Sequence, residues 1–272
     1  MFELACRDKR LQIKDMPLVM GILNVTPDSF SDGGKYVMTD KALFHAEEMI
    51  RSGASIIDIG GESTRPGAEY VNEDEEMARV IPIVERISRE FDVVISVDTY
   101  KSSTAEESLK AGCHIINDVY GFLKDPKMAE VVRRYDAGCV LMSNALLRTS
   151  DEDIMDYTDS YLKRSLDVAK THDISKDRIL LDPGVGFGTT REEDLRLLRE
   201  FDYGDNCLIG VSRKRIVAHL LNRETQAFER AFGSVGLALF AASKGAAVVR
   251  VHDVRETYDA LLTYTSAERG IV

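Results

Sequence analysis

The chain has 272 residues, enough to bury a full core as one α/β barrel or as two small domains. Hydrophobic residues make up 44% and charged residues 30%, the balance of a soluble globular protein. A formal net charge of −11 excludes general binding to nucleic acid or to an anionic membrane surface, both of which need a basic face.

In chain order, the first strand is expected over 18–24, ending at Asn24, and a polar loop from Asn24 to Tyr36 follows it. A helix over 39–52 has Thr39-Asp40 as its candidate cap. The second strand, 55–60, opens into Gly60-Gly61-Glu62-Ser63-Thr64-Arg65-Pro66-Gly67-Ala68, a long glycine-rich loop. Asn72 then caps a helix over 73–90 whose first turn is acidic. The strand 93–98 ends in Asp98, and Ser102-Ser103-Thr104 starts a helix over 102–111. Strand 114–118 carries Asn117-Asp118 and precedes a helix over 126–136; strand 138–143 precedes one over 151–172. Strand 179–182 ends in Asp182 and runs into Pro183-Gly184-Val185-Gly186-Phe187-Gly188, with a helix over 191–200 beyond. Strand 207–211 leads into Ser212-Arg213-Lys214-Arg215 and a helix over 231–244. Strand 247–251 leads into His252 and a last helix over 254–268. Eight strand–helix repeats predict an α/β fold, a (β/α)8 TIM barrel forming a single domain over 1–272. An open sheet of the same content is the alternative.

The four cysteines, Cys6, Cys113, Cys139 and Cys207, form no C-x-x-C and three lie beside apolar runs, so free buried thiols in a cytoplasmic setting are expected. No apolar signal core opens the chain, and the apolar stretch from Leu237 to Val251 is broken by Lys244 and Arg250, so no membrane span is expected.

Polar groups at the ends of separate strands imply one shared site at one end of the barrel. Each of Asp98, Asn117 and Asp182 taken alone reads most simply as a helix cap, but Pro183-Gly184 moves the next helix away from Asp182. Together they suit a flat heterocycle, with a carboxylate against a ring N–H and an exocyclic amine. Ser212-Arg213-Lys214-Arg215 and Arg250-Val251-His252 follow strands seven and eight, where barrels commonly hold phosphate. Arg65 lies in a loop that can close over the same anion. Gly184, Gly186 and Gly188 let a flat ring approach the backbone, with Phe187 packed nearby. No zinc spacing occurs; magnesium held mainly by substrate phosphate, with Asn24 as one protein ligand, needs none.

These residues, in their order from Met20 to Val254, resemble the dihydropteroate synthase family, the folate-pathway enzymes that sulfonamides inhibit. The matching segments are Met20 to Gly34, Asp58-Ile59-Gly60-Gly61-Glu62-Ser63-Thr64-Arg65-Pro66-Gly67, Ser96-Val97-Asp98-Thr99-Tyr100-Lys101, Ile116-Asn117-Asp118-Val119, the Asp182 loop, Ser212-Arg213-Lys214 and Arg250-Val251-His252-Asp253-Val254. The resemblance implies a homodimeric barrel that joins p-aminobenzoate to 6-hydroxymethyl-7,8-dihydropterin diphosphate with magnesium assistance. It implies pterin contacts from Asp98, Asn117, Asp182 and Lys214, with Met142, Gly186 and Phe187 lining the pocket. It places the diphosphate at Asn24, Arg65, Arg250 and His252, and p-aminobenzoate near Thr64, Pro66, Phe30 and Ser212. The family commonly has Lys where this chain has Thr189 and His where it has Ser143; Arg191 is a candidate replacement for the cation. Two other readings stay open: a catalytically impaired pterin-binding paralogue, and a pterin-dependent corrinoid methyltransferase, against which the diphosphate cations speak.

Overall fold

A computed structural model describes residues 2–25, 35–63, 69–149 and 152–270. Two short strands come first, β1 (Phe2–Cys6) and β2 (Lys9–Ile13), paired antiparallel as a hairpin with Cys6 opposite Lys9. The sequence reading did not anticipate them. Their two-residue turn, Arg7-Asp8, has Arg7 at φ 57°, a position where glycine is usual. Arg7 is held there by tertiary contacts: its guanidinium donates to the carbonyls of Leu109 (2.9 Å) and Cys113 (2.7 Å), and its N–H to Asp136 O (2.8 Å).

The barrel strands are β3 (Leu18–Asn24), β4 (Ile56–Gly60), β5 (Val94–Asp98), β6 (Ile115–Asp118), β7 (Gly138–Met142), β8 (Ile179–Asp182), β9 (Leu208–Ile209) and β10 (Val248–Val251). All neighbours are parallel, in the order β8-β7-β6-β5-β4-β3-β10-β9. A parallel bridge between Leu181 and Cys207 brings the two end strands together, so the barrel is nearly closed. The open-sheet alternative therefore falls. Between the strands lie α1 (Lys35–Arg51), α2 (Glu73–Glu90), α3 (Ser102–Lys110), α4 (Met128–Arg134), α5 (Ile154–Thr171), α6 (Arg191–Glu200), α7 (Arg215–Leu220), α8 (Ala231–Ser243) and α9 (Val254–Arg269).

Most boundaries agree with the sequence reading, and the exceptions have local causes. Asn72 caps α2, its side-chain oxygen accepting from Glu75 N at 2.9 Å. Thr39-Asp40 is not the start of α1, which already begins at Lys35. Ser102 starts α3 without acting as its side-chain cap; the Ser102 N–H is satisfied instead by Asp125 Oδ2 at 2.8 Å. The short α7 precedes α8 and was not foreseen.

The packing is layered. Ile57, Ile59, Ile95, Val97, Ile116 and Leu141 face outward, buried beneath the helices. Inside the barrel each strand gives one residue to an apolar plug: Met20, Ile56, Val94 and Ile115, then Val140, Leu180, Leu208 and Val248. Leu4, Cys6 and Ile13 of the hairpin complete it from below. The cysteines are all buried and free, and burial pushes the Cys6 and Cys113 thiols up to about 12, so they are inert. Among the described residues no helix is long and apolar enough to cross a membrane.

Candidate functional site

Side chains two residues apart on a strand point the same way. Counting two residues on from the apolar plug gives Asp58, Ser96, Asn117, Met142, Asp182 and Arg250; two more give Asn24, Asp98, Ser212 and His252. The barrel interior therefore turns from wholly apolar to polar within one layer, toward the strands' C-terminal ends. That end is where barrel enzymes build their sites.

The centre of this layer is an ionic cluster. Arg250 donates through Nε to Asp58 Oδ2 at 2.6 Å and through Nη2 to Asp98 Oδ2 at 2.8 Å. Asn117 Nδ2 donates to the same Asp58 oxygen at 3.1 Å. Asp58 is 0% exposed and Asp98 is 8% exposed. Burial pushes the Asp98 carboxyl well above the ordinary carboxylate range; Arg250 opposes the shift and Asp58 adds to it. Asp98 Oδ1 and Asp58 Oδ1 have no partner among the described residues. A buried carboxylate oxygen left unpaired costs free energy unless something arrives to satisfy it, so these atoms mark a place for a polar ligand or water. Asp118, beside Asn117, instead holds the turn after β6, accepting the N–H groups of Tyr120 and Phe122, both at 2.8 Å.

Asp182 ends β8 and accepts the Gly184 N–H at 2.8 Å, so it shapes the glycine loop rather than a helix. Burial raises its pKa, opposed by Lys214, the Gly184 N–H and Arg250. Gly184 has φ 80°, and a Cβ there would lie 2.0 Å from Ser143 O; only glycine fits. Gly186, at φ 83°, lies against the Lys214 side chain, 3.0 Å from its Cδ to an imagined Cβ. Lys214 donates to Val185 O at 2.5 Å and stands 4.8 Å from the Phe187 ring centre. Lys214 keeps part of its surface open, yet the surrounding protein lowers its pKa to about 8, Asp182 partly resisting.

Beneath the loop, Asp194 of α6 is 0% exposed and accepts the Gly186 N–H at 2.7 Å and the Thr189 hydroxyl at 2.5 Å. Arg191 pairs with the same carboxylate at 2.7 Å. Arg191 thus faces Asp194. Ser143, the other departure, is buried, and its N–H donates to Asp182 O at 2.9 Å.

Ser212 Oγ lies 3.0 Å from His252 Nδ1 and accepts the His252 N–H at 3.1 Å. Arg213 pairs with Asp253, Nε to Oδ2 at 3.1 Å. Asn24, at the end of β3, pairs in register with Gly60; its carbonyl oxygen lies 3.5 Å from where a Gly60 Cβ would stand. No group of three His, Cys, Asp or Glu among the described residues could hold a metal. Phe30, Thr64, Arg65 and Pro66 lie outside the described residues.

Three features escaped the sequence reading. Asp58 sits inside an apolar run, and its partners lie on strands two places away on either side. Asp194 reads as one more acid in a charged helix. Lys101, 4% exposed, pairs with Glu62 and with Glu76 Oε2 (2.9 Å), and Thr104 also donates to Glu76 at 3.0 Å. The inward parity of Asp58 with Gly60 was the one available signal. Surface cavities of 370 Å3 beside the hairpin and 580 Å3 beside α7 involve none of the strand-end residues.

A family model described as pterin binding enzyme matches residues 20–252. A dihydropteroate synthase from Bacillus subtilis is 49% identical over 250 residues, 90% of this chain and 87% of the relative. Among solved structures, a Clostridium difficile dihydropteroate synthase in the presence of pteroic acid superposes with TM-score 0.89 at 42% identity, covering 95% of this chain and 98% of the other. A Xanthomonas albilineans dihydropteroate synthase with 4-aminobenzoic acid gives TM-score 0.91 at 39% identity, with 98% and 99% coverage.

Proposed function

The chain belongs to the pterin binding enzyme family, and we propose that the mouth of its barrel, as one domain over 1–272, is where it performs the dihydropteroate synthase reaction. The substrates are 6-hydroxymethyl-7,8-dihydropterin diphosphate and p-aminobenzoate, and the products are 7,8-dihydropteroate and diphosphate. The observation that supports this most is the convergence of Asp98, Asn117, Asp182, Lys214 and Arg250 above an apolar plug.

The second oxygen of Asp182, not used by Gly184, accepts from the pterin's ring N–H and exocyclic amine, a charge-assisted pair in a water-poor pocket. Asp98 and Asn117 read the opposite edge of the ring, and Met142 and Phe187 cover its faces. When the bond between the methylene carbon and the diphosphate oxygen breaks, positive charge develops on the pterin, and the Asp182 carboxylate stabilises it. The arylamine nitrogen then bonds to the methylene carbon and gives up a proton to solvent. Asn24, Arg65, Arg250 and His252 hold the departing diphosphate. Asn24 would be this chain's ligand to a magnesium ion brought in with the diphosphate, which would neutralise charge at the leaving group. Thr64, Pro66, Phe30 and Ser212 form the arylamine side, which a sulfonamide would occupy in competition with p-aminobenzoate.

The functional unit is a homodimer in this reading. On α8, α9 and the turn before α8, Phe228 (69%), Phe232 (86%) and Leu262 (48%) are exposed, an apolar group that a second copy would cover.

The test is diphosphate release from the dihydropterin diphosphate in magnesium buffer. Release that depends on added p-aminobenzoate supports the synthase. Tight pterin binding with no release would favour the impaired paralogue.

A further inference from the structure

Asp58 has no place in the chemistry above, yet it is the most buried carboxylate of the cluster and accepts hydrogen bonds from both Asn117 and Arg250. It projects from β4 into the lumen, and its Oδ2 receives Asn117 Nδ2 from β6 at 3.1 Å and Arg250 Nε from β10 at 2.6 Å. In the barrel order β4 is separated from β6 by β5 and from β10 by β3. One oxygen atom therefore ties together side chains from three strands that do not pair with one another. Barrel layers are ordinarily filled by branched apolar residues, and a buried acid is a poor way to gain stability, because desolvation offsets the attraction of its partners.

The geometry points to a positioning role: we propose that Asp58 fixes which atoms Asn117 presents to the ring at the barrel mouth and the plane in which the Arg250 guanidinium lies beside it, and so sets the hydrogen-bond pattern by which that ring is chosen. A side-chain amide offers an acceptor on one side and two donors on the other, and can turn either way. An ionised carboxylate accepts only. Asn117 must therefore turn its NH2 toward Asp58, which leaves its carbonyl oxygen and one N–H for the ligand. Arg250 is fixed in the same manner: Nε is spent on Asp58 and one Nη2 hydrogen on Asp98, so the plane of the guanidinium is set by two carboxylates. A heterocycle with the complementary alternation of acceptor and donor is accepted, and one with the reverse order meets like against like.

This inference rests on the pterin reading of the site, and the experiment separates the two. Binding of 6-hydroxymethylpterin, which cannot react, is measured by calorimetry for the wild type, Asn117→Ala, Asp58→Asn and the double variant, together with the KM for p-aminobenzoate in each. Asp58→Asn keeps the shape but allows Asn117 to turn over; Asp58→Ser is the second, smaller replacement. The expected result is a loss of pterin affinity on the order of tenfold or more in Asp58→Asn, a KM for p-aminobenzoate within about twofold of wild type, and little further loss when Asp58→Asn is added to Asn117→Ala. That last non-additivity is the mark of one residue acting through another. Full pterin affinity in Asp58→Asn alongside weakened binding in Asn117→Ala overturns the proposal and leaves the site standing. Undiminished affinity in Asn117→Ala overturns the pterin site itself. Additive losses, equal damage to both substrates, or failure of both Asp58 variants to fold would make Asp58 a purely structural residue and equally overturn the proposal.

Discussion

At the scale of the residue, the site works by holding charge in places that resist it. Lys214 is a cation whose pKa burial lowers to about 8, with Asp182, Asp194 and Asp98 resisting the shift and Arg250 adding to it. A lysine with a lowered pKa is charged below that pH and neutral above it. If Lys214 contacts the pterin substrate as a cation, kcat/KM for that substrate falls as pH rises through about 8, because this ratio reports groups of the free enzyme. Lys214→Arg, which stays charged, removes that alkaline limb even if its overall rate is lower. A pH profile unchanged by the substitution would sever Lys214 from substrate binding. Asp98 carries the opposite perturbation: its raised pKa means that the ionised form is gained only as pH rises.

At the scale of the element, the loops after β4 and β8 each have a buried ionic group behind their described residues. Lys101 lies between Glu62, at the root of the second loop, and Glu76 of α2, itself 1% exposed. Lys101→Met strands two buried carboxylates. Removing one partner of a buried pair costs about 3–5 kcal/mol, and the expected outcome is a loss of that order in denaturant unfolding, with a midpoint shift visible at constant slope. A change below about 1 kcal/mol would mean that water reaches Glu62 and Glu76 freely. Asp194 serves the glycine loop in the same way, holding the Gly186 N–H, the Thr189 hydroxyl and Arg191.

These supports explain how far the sequence could be read. Asp98, Asn117 and Asp182 were legible because each closes an apolar run and precedes a loop, so one-dimensional spacing already puts them at a barrel mouth. Arg250 and His252 were legible by alternation. Beyond the inward parity of Asp58 with Gly60, Asp58 and Lys101 were not, because what makes them matter is register between strands and packing between helices. The hairpin was missed for a related reason. Its turn, Cys6-Arg7-Asp8-Lys9, has no glycine or asparagine, and the left-handed Arg7 is stabilised by carbonyls more than a hundred residues away.

At the scale of the molecule, the hairpin and the active mouth divide the barrel between them. One end is stoppered by Leu4, Cys6 and Ile13 against eight strand residues; the other is left polar and open to loops. Phe232, 86% exposed at the start of α8, lies on the face assigned to a second copy, and in the dimer reading Phe232→Glu places charge in that interface. Sedimentation of the wild type should give twice the mass of the chain, and the variant should shift toward a single chain. Identical masses for both would remove α8 from any interface.

The central claim, that carboxylates at the strand ends hold the pterin while its diphosphate departs, is tested most directly by Asp182→Asn. The substitution keeps the shape and the Gly184 contact but removes the negative charge. The account predicts a fall in kcat/KM for the dihydropterin diphosphate of roughly a hundredfold or more, with the KM for p-aminobenzoate close to its wild-type value. Turnover at the wild-type rate would contradict it.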